Sequence, residues 1–149
     1  MAHPQTLIPY LCAKDAAAAI EFYRKAFGAT QGWRLDEPNG RVSHADMQIG
    51  DAQFMIAGEH PEFGFLSPQT IGGTPFTLHL NVENVDAVFE QAVQAGAKVL
   101  RPVKDQFYGE RNGHVLDPFG FRWCISTTIE QLTPEDLDAR AGVKREVTA

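Results

Sequence analysis

The second half of the chain repeats the plan of the first at an offset of about 68 residues. In the first copy a short apolar run, 6–13, leads into a helical pattern that ends at 27–29, Phe-Gly-Ala. In the second copy the run 76–82 leads into a helical pattern that ends at 95–97, Ala-Gly-Ala. In each copy the residues after the helix alternate between apolar and polar, as in β-strands. A turn and a last apolar strand then follow. A repeat this long, present twice, predicts a duplicated β-α-β-β-β unit rather than a solenoid.

The repeat divides the chain into four segments. Residues 1–58 and 74–127 are the two modules, and 59–73, rich in Gly, Pro, Ser and Glu, join them. Residues 128–149 form a tail in which Thr133, followed by Pro and two acids, predicts the start of a short helix. At 149 residues and 44% hydrophobic, the chain has the size of one structural domain, so the modules should share a core.

Capping residues mark the ends of both module helices. Asp15 is placed to cap the first helix, and Gly28 is placed to close it in a left-handed conformation. Asn84 or Asp86 begins the second helix, and Gly96 follows it. Between these residues apolar side chains recur at helical spacing, which is typical of helices that pack on a core.

The net charge limits which partners the protein could bind, and the number and spacing of cysteines indicate its cellular compartment. The formal net charge of -6, with acids and bases interspersed, lacks the basic stripe of a nucleic-acid-binding surface, whereas a small neutral or cationic ligand remains open. Cys12 and Cys124 match no metal or disulfide spacing, which is typical of a reducing compartment. The start of the chain lacks a leader pattern and no apolar stretch reaches membrane-spanning length. We therefore expect a cytoplasmic protein with no membrane or nucleic-acid partner.

Two predicted strands place histidines on polar faces. Successive side chains of a strand point to opposite sides of a sheet. In 42–49 one side carries His44, Asp46 and Gln48 and the other is mostly apolar. In 76–83 His79 lies on the polar side, and alternate apolar residues fill the other. The apolar sides should meet the helices, so the polar sides should face solvent or a cleft.

Three segments together resemble a known superfamily. They are A-I-E-F-Y-R-K-A-F-G-A at 19–29, N-V-E-N-V-D-A-V at 81–88 and D-P-F-G-F-R-W at 117–123. In this combination they look like the vicinal oxygen chelate superfamily, the group of glyoxalases, bleomycin-resistance proteins and extradiol dioxygenases, over roughly residues 6–127. The resemblance implies an α+β fold in which two paired βαβββ modules form a curved mixed sheet around a cleft, and it implies a homodimer.

Three further segments are similar to the PhnB-like branch of that superfamily. They are L-I-P-Y-L-C-A-K-D at 7–15, H-A-D-M-Q-I-G-D at 44–51 and R-P-V-K-D-Q-F-Y-G-E-R at 101–111. Many members of this branch have no assigned reaction, so the resemblance carries a fold but leaves the activity open.

The resemblance also implies where metal ligands would lie. Transferred by strand register, the four ligand positions fall on Ile8, Met55 or its neighbour Ile56, Thr77 and Cys124. The metals of these enzymes need imidazole, carboxylate or amide ligands, and none of these residues supplies one. We therefore predict no metal and no other cofactor.

The remaining candidate residues suggest a pocket. His44 and His79 are candidate acid-base residues, since a histidine beside an acid can act as a general base. Side chains that could bind a ligand on the cleft face or its rim are Tyr10, Trp33, His44, Asp46, Gln48, His79, Tyr108 and Arg111.

Three functional hypotheses follow. The first is a protein that binds a small organic molecule without a metal, of the bleomycin-resistance type. The alternative is a glyoxalase-type lyase or isomerase that uses either His44 and His79 as acid and base or a relocated metal held by His44, Asp46 and His79. A scaffold with a vestigial cleft is the third. The sequence leaves open whether the protein is an enzyme.

Overall fold

The computed structural model describes residues 4–142, so the first three residues and the end of the predicted tail, 143–149, lie outside the described part. Its elements in chain order are β1 Tyr10–Cys12, α1 Ala16–Phe27, β2 Thr30–Asp36, β3 Val42–Ile49, β4 Ala52–Ala57, α2 Pro68–Ile71, β5 Thr77–Asn81, α3 Val85–Ala95, β6 Lys98–Asp105, β7 Glu110–Leu116, β8 Arg122–Thr128 and α4 Pro134–Ala141. The predicted duplication is confirmed, since each half has the order β-α-β-β-β.

The strands form two four-stranded mixed sheets of identical topology. Their orders are β1-β4-β3-β2 and β5-β8-β7-β6. In each sheet the first strand runs parallel to the last and the other pairs are antiparallel. The α+β fold of two paired modules is therefore confirmed.

The predicted caps form at the ends of the helices. The Asp15 carboxylate accepts the backbone N–H of Ala18, and the Asn84 side-chain oxygen accepts that of Ala87. Gly28 closes α1 in the left-handed conformation. In the tail, Thr133 and Asp136 form a reciprocal capping box at the start of α4.

The two helices of the modules pack on each other between the sheets. α1 lies against α3 and against its own strands β3 and β4, while α3 packs on β6, β7 and β8. Rings of α1 cross the junction, because Tyr23 and Phe27 lie 5.5 and 4.6 Å from the ring of Trp123 in β8. The shared core is thus built on the helix-facing sides of both sheets, and the polar sides of the sheets point away from it.

Asp117 fastens the second module to α1 through one buried carboxylate. Its Oδ1 accepts the backbone N–H groups of Phe119 and Phe121, which shapes the turn before β8. Its Oδ2 accepts the hydroxyl of Tyr23 at 2.6 Å and the indole N–H of Trp123 at 2.9 Å. Burial raises the pKa of Asp117 even though these four donors favour the charged form.

The segment 59–73 between the modules, which we call the linker, is folded. It contains a short 3₁₀ turn, Pro61–Phe63, and α2. The Glu59 carboxylate accepts the backbone N–H and the hydroxyl of Ser67, at 3.1 and 2.6 Å, and also the hydroxyl of Thr70. These bonds hold the start of α2 to Glu59, and the Gln69 amide of α2 donates to the backbone carbonyl of Pro118 in the second module.

None of the helices among residues 4–142 is long and apolar enough to cross a membrane.

Candidate functional site

The first polar face, which we define as the sides of β1 to β4 turned away from α1, carries a chain of three hydrogen-bonded side chains. Tyr10 pairs with Met55 and Met55 pairs with Asp46, so these three residues share the face. His44 lies two positions before Asp46 on β3 and therefore points to the same side. The Tyr10 hydroxyl lies 2.7 Å from Nδ1 of His44. Nε2 of the same ring lies 2.8 Å from Oδ1 of Asp46. The strand register therefore assembles a Tyr–His–Asp relay.

Both nitrogens of His44 are engaged in this relay. Because a carboxylate only accepts, Nε2 of the neutral ring carries the proton, and Nδ1 then accepts the Tyr10 hydroxyl. Burial, with a contribution from the Asp46 charge, raises the pKa of Tyr10 and keeps it a neutral phenol. The arrangement suits His44 for orienting Tyr10 rather than for taking a proton from a substrate.

Aromatic rings line the same face. The ring of Trp33 lies 5.5 Å from that of His44, and the ring of Phe65 meets Tyr10 edge to face at 5.4 Å. Trp33 is 61% exposed. Phe65 comes from the segment between the modules, and no periodicity in the sequence could have assigned it to this face. The rings of Trp33, Tyr10 and Phe65 therefore form an aromatic wall next to the relay that ends in Asp46.

A cavity of about 470 Å³ lies against β2, β3 and β4 and shares Asp46 with the relay. Asp46 and Gln48 contribute polar groups to its lining, and Ile8 and Met55 contribute apolar ones. The Gln48 amide N–H₂ donates to the backbone carbonyl of Gly50, which leaves its oxygen available. The cavity is large enough for a small organic molecule.

The second polar face, the side of β5 to β8 turned away from α3, holds His79 and Tyr108. Nε2 of His79 lies 3.2 Å from the side-chain oxygen of Asn81 and 3.9 Å from a carboxylate oxygen of Glu110. The hydroxyl of Tyr108 accepts the Asn112 amide at 3.0 Å. The predicted residues His79 and Tyr108 thus share a polar neighbourhood at one end of this face.

Arg111 lies on the opposite side of the sheet from the one predicted. Residue 111 belongs to β7 rather than to a loop, and the alternation of the strand turns its side chain toward α3. Its guanidinium binds Asp86 of α3 at 2.8 and 3.0 Å and Asp105 of β6 at 3.0 Å. Arg111 thus connects α3 to β6 and β7, and its guanidinium is engaged by two carboxylates on the side of the sheet away from the second polar face.

The two histidine candidates do not meet within one chain. His44 lies on the first sheet and His79 on the second, and the helical layer separates the two. Among residues 4–142 no group of three or more His, Cys, Asp or Glu side chains is arranged to hold a metal ion. The set His44, Asp46 and His79 is therefore not assembled by a single copy of the chain.

The metal-ligand positions that the resemblance implies do not fit a divalent metal. Ile8 precedes β1 and offers no donor atom, Met55 offers a thioether and Thr77 a hydroxyl. Burial, together with the nearby charge of Glu110, raises the pKa of the Cys124 thiol, which opposes the thiolate form that binds metals. The side chains at these positions are therefore unsuited to hold a divalent metal, and no reaction is assigned to one.

Both cysteines should react slowly in the native protein. Burial, with the charge of Glu59, raises the pKa of Cys12 from 9.0 to about 11, which lowers its thiolate population at neutral pH about a hundredfold. Cys124 is also buried, and neither forms a disulfide. With Ellman's reagent we expect slow labelling of native protein and rapid labelling of two thiols after unfolding in guanidinium. Rapid native labelling would contradict this prediction.

Comparison with known proteins assigns the family. The model of the Glyoxalase/Bleomycin resistance protein/Dioxygenase superfamily matches residues 2–125. The chain belongs to this superfamily. It is 38% identical over 136 residues to uncharacterized protein Rv0887c of Mycobacterium tuberculosis, a match that covers 89% of this chain and 80% of that protein.

Solved structures share the fold at low sequence identity. Protein PA1353 from Pseudomonas aeruginosa superposes with a TM-score of 0.67 at 23% identity, covering 83% of this chain and 98% of that one. TioX from Micromonospora sp. ML1 gives a TM-score of 0.64 at 24% identity, covering 87% of this chain and all of that one. At these identities the likeness shows the fold alone.

Proposed function

We propose that the protein binds a small organic molecule on the first polar face, without a divalent metal at the family's ligand positions. The observation that carries the proposal is the Tyr10–His44–Asp46 relay, in which both ring nitrogens of His44 are occupied. Such a relay holds Tyr10 in one orientation, and the raised pKa of its hydroxyl keeps Tyr10 a neutral phenol. Rigid aromatic groups beside a few fixed polar atoms are typical of a binding pocket.

The chemistry of this face favours a flat ligand that is neutral or cationic. Trp33, Tyr10 and Phe65 offer ring faces and edges for stacking. Asp46, whose side chain is 52% exposed, adds a negative charge at the centre of the face, and the net charge of -6 acts in the same direction.

A second copy of the chain is proposed to cover the polar faces. Trp33, Tyr10 and Leu35 are large apolar side chains, 61, 41 and 49% exposed, and all three lie on the first polar face. Burying them between copies would shield a bound ligand from water. We accordingly propose a homodimer and leave open which module of the partner faces this surface. A cytoplasmic location and membership of the PhnB-like branch remain proposals as well, supported by the free cysteines and by the motif at 44–51.

The alternative function, a lyase or isomerase, is favoured by one observation on the second polar face. His79 has a 44% exposed side chain and its Nε2 approaches Glu110, while its Nδ1 has no hydrogen-bond partner among residues 4–142. This geometry leaves His79 freer than His44 to exchange a proton with a substrate. Conversion of a bound ligand into product would favour this alternative.

Tryptophan fluorescence tests the binding proposal. Trp33 is exposed on the proposed site, whereas Trp123 is 4% exposed and hydrogen-bonded to Asp117, so a ligand on the first polar face should quench only Trp33. We expect planar aromatic cations and neutral aromatics to quench the emission saturably. Trp33→Ala should weaken binding about 10- to 100-fold, measured by calorimetry, because it removes a stacking wall.

Two controls make this result specific. Ile129→Ala removes an exposed apolar side chain beyond the end of β8 and should leave the affinity unchanged. Repeating the titration after EDTA treatment should also leave it unchanged. Equal affinity for Trp33→Ala and the unmodified protein would overturn the proposed site. Binding that EDTA abolishes and Zn²⁺ or Mn²⁺ restores would instead support the metal-dependent alternative.

A further inference from the structure

The second polar face carries a row of imidazole, thiol and guanidinium side chains across its four strands. The strand register places Cys124 between His79 and His114, and it places Arg101 of β6 next to His114. Arg122 lies two residues before Cys124 on β8 and therefore shares this face. Two arginines thus flank one histidine at the end of the face that lies away from Glu110.

Arg101 and Arg122 differ from the other arginines among residues 4–142 in having no carboxylate partner. The five that form an ion pair are Arg24, Arg34, Arg41, Arg111 and Arg140. In a chain whose net charge is -6, acids to pair with them are abundant. Two guanidinium groups without a carboxylate partner on the same side of the sheet therefore create a local positive potential that opposes the charge of the whole protein.

His114 adds a hydrogen-bond donor to the same patch. The Nε–H of Arg122 donates to Nδ1 of His114 at 3.2 Å, so the proton of the neutral ring sits on Nε2. Burial lowers the pKa of His114, and the charges of Arg122 and Arg101 lower it further. The remaining N–H groups of the two arginines are left to bind another acceptor.

We infer that Arg101, Arg122 and His114 bind an oxyanion group, a carboxylate or a phosphate, of a small ligand. Guanidinium groups match the geometry of both anions. Space for the rest of the ligand lies beside Arg122, where an open cavity of about 430 Å³ is lined by Leu116 of β7 and by Gly72 and Gly73 of the linker.

Glu110 also faces this surface, and its repulsion directs the anion to the arginine end. Its carboxylate approaches His79 at 3.9 Å, on the other side of the row from Arg101. The inference goes beyond the proposed function, because it concerns the second polar face, which the helical layer separates from the first polar face within one chain. It does not depend on which ligand binds the first face.

NMR titration of the 149-residue chain tests the site with the anions alone. Sodium phosphate and sodium benzoate would be added separately at constant ionic strength, and the Arg122 Nε–H and His114 imidazole signals followed. We expect saturable shifts with at least one anion, and the comparison of the two separates phosphate from carboxylate recognition. Arg122→Gln and Arg101→Gln should each raise the Kd at least tenfold, judged by the His114 signal.

Arg24→Gln is the matched control, since it removes the same charge from an exposed helix position. Its Kd should stay within about twofold of that of the unmodified protein, because a distant surface charge is screened. An equal loss of binding in Arg24→Gln would reduce the effect to net charge and overturn the site, as would unchanged binding in Arg122→Gln. Melting curves exclude unfolding. Trp33 quenching by an organic ligand without any anion shift would sink this inference and leave the proposed function standing.

Discussion

Replacement of Asp117 by alanine should destabilise the protein by about 3–5 kcal/mol. The change removes the acceptor of four hydrogen bonds at a site where Asp117 is 3% exposed, and it strands the Tyr23 hydroxyl and the Trp123 indole N–H in the core. The free energy of unfolding in urea, measured by circular dichroism, checks the value. Because this carboxylate bridges the modules, we also expect a loss of cooperativity in the transition.

Two companion variants show whether the network or only a charge is responsible. Tyr23→Phe removes one donor and retains the ring, so it should cost about 1–2 kcal/mol. Asp51→Ala removes an exposed carboxylate from the turn between β3 and β4 and should change the unfolding free energy by less than about 0.5 kcal/mol. An Asp117→Ala protein as stable as Asp51→Ala would refute the bridging role.

The helices and the faces of the strands were predictable because they depend on neighbours in sequence. The cap at Asp15 needs an N–H three residues away, and the burial of alternate residues on β3 follows from the two-residue period of a strand. The duplication is equally local, since it repeats one pattern of elements. These features require no knowledge of which strands pair.

Contacts between distant residues could not be read in the same way. Tyr23 and Asp117 are 94 positions apart, and nothing in a helical stripe distinguishes a tyrosine that reaches a carboxylate from one that only packs. The relay on the first face depends on the pairing of Tyr10 with Met55 and of Met55 with Asp46. The sequence predicted the three residues of the relay but neither the hydrogen bonds between them nor the contact of Phe65 with Tyr10.

Arg111 and Arg101 show how strand register decides which side of the sheet a side chain occupies. The structure places Arg111 beside α3 because β7 begins at Glu110, which turns residue 111 toward that helix. The position of Arg101 beside His114 could not be predicted, because it depends on irregularities in the pairing of β6 with β7. A one-residue shift in either strand would exchange the two sides of the sheet.

Gly120→Ala should destabilise the protein by about 2–4 kcal/mol, because two costs add. Gly120 has φ of +92°, a conformation that costs an L-residue about 1–2 kcal/mol, and an added Cβ would stand 2.8 Å from Cβ of Pro68 in α2. Gln69 of the same helix bonds the carbonyl of Pro118, so α2 is held against this turn. We therefore expect the linker to detach and to be cut faster by proteases.

Gly40→Ala separates the two costs. Gly40 closes a comparable turn with φ of +86°, and nothing lies within 4 Å of a Cβ added there. It should lose only the conformational term, about 1–2 kcal/mol, and should not expose the segment 59–73 to proteolysis. Urea unfolding and limited proteolysis of both variants give the comparison. Equal losses, with equal cleavage of the linker, would mean that α2 does not depend on the turn at 117–120. A larger loss of unfolding free energy in Gly120→Ala would show that the turn at 117–120 holds the linker in place and also positions the buried carboxylate. This one turn would then connect the linker, both modules and β8, the strand that contains Arg122 of the proposed anion site.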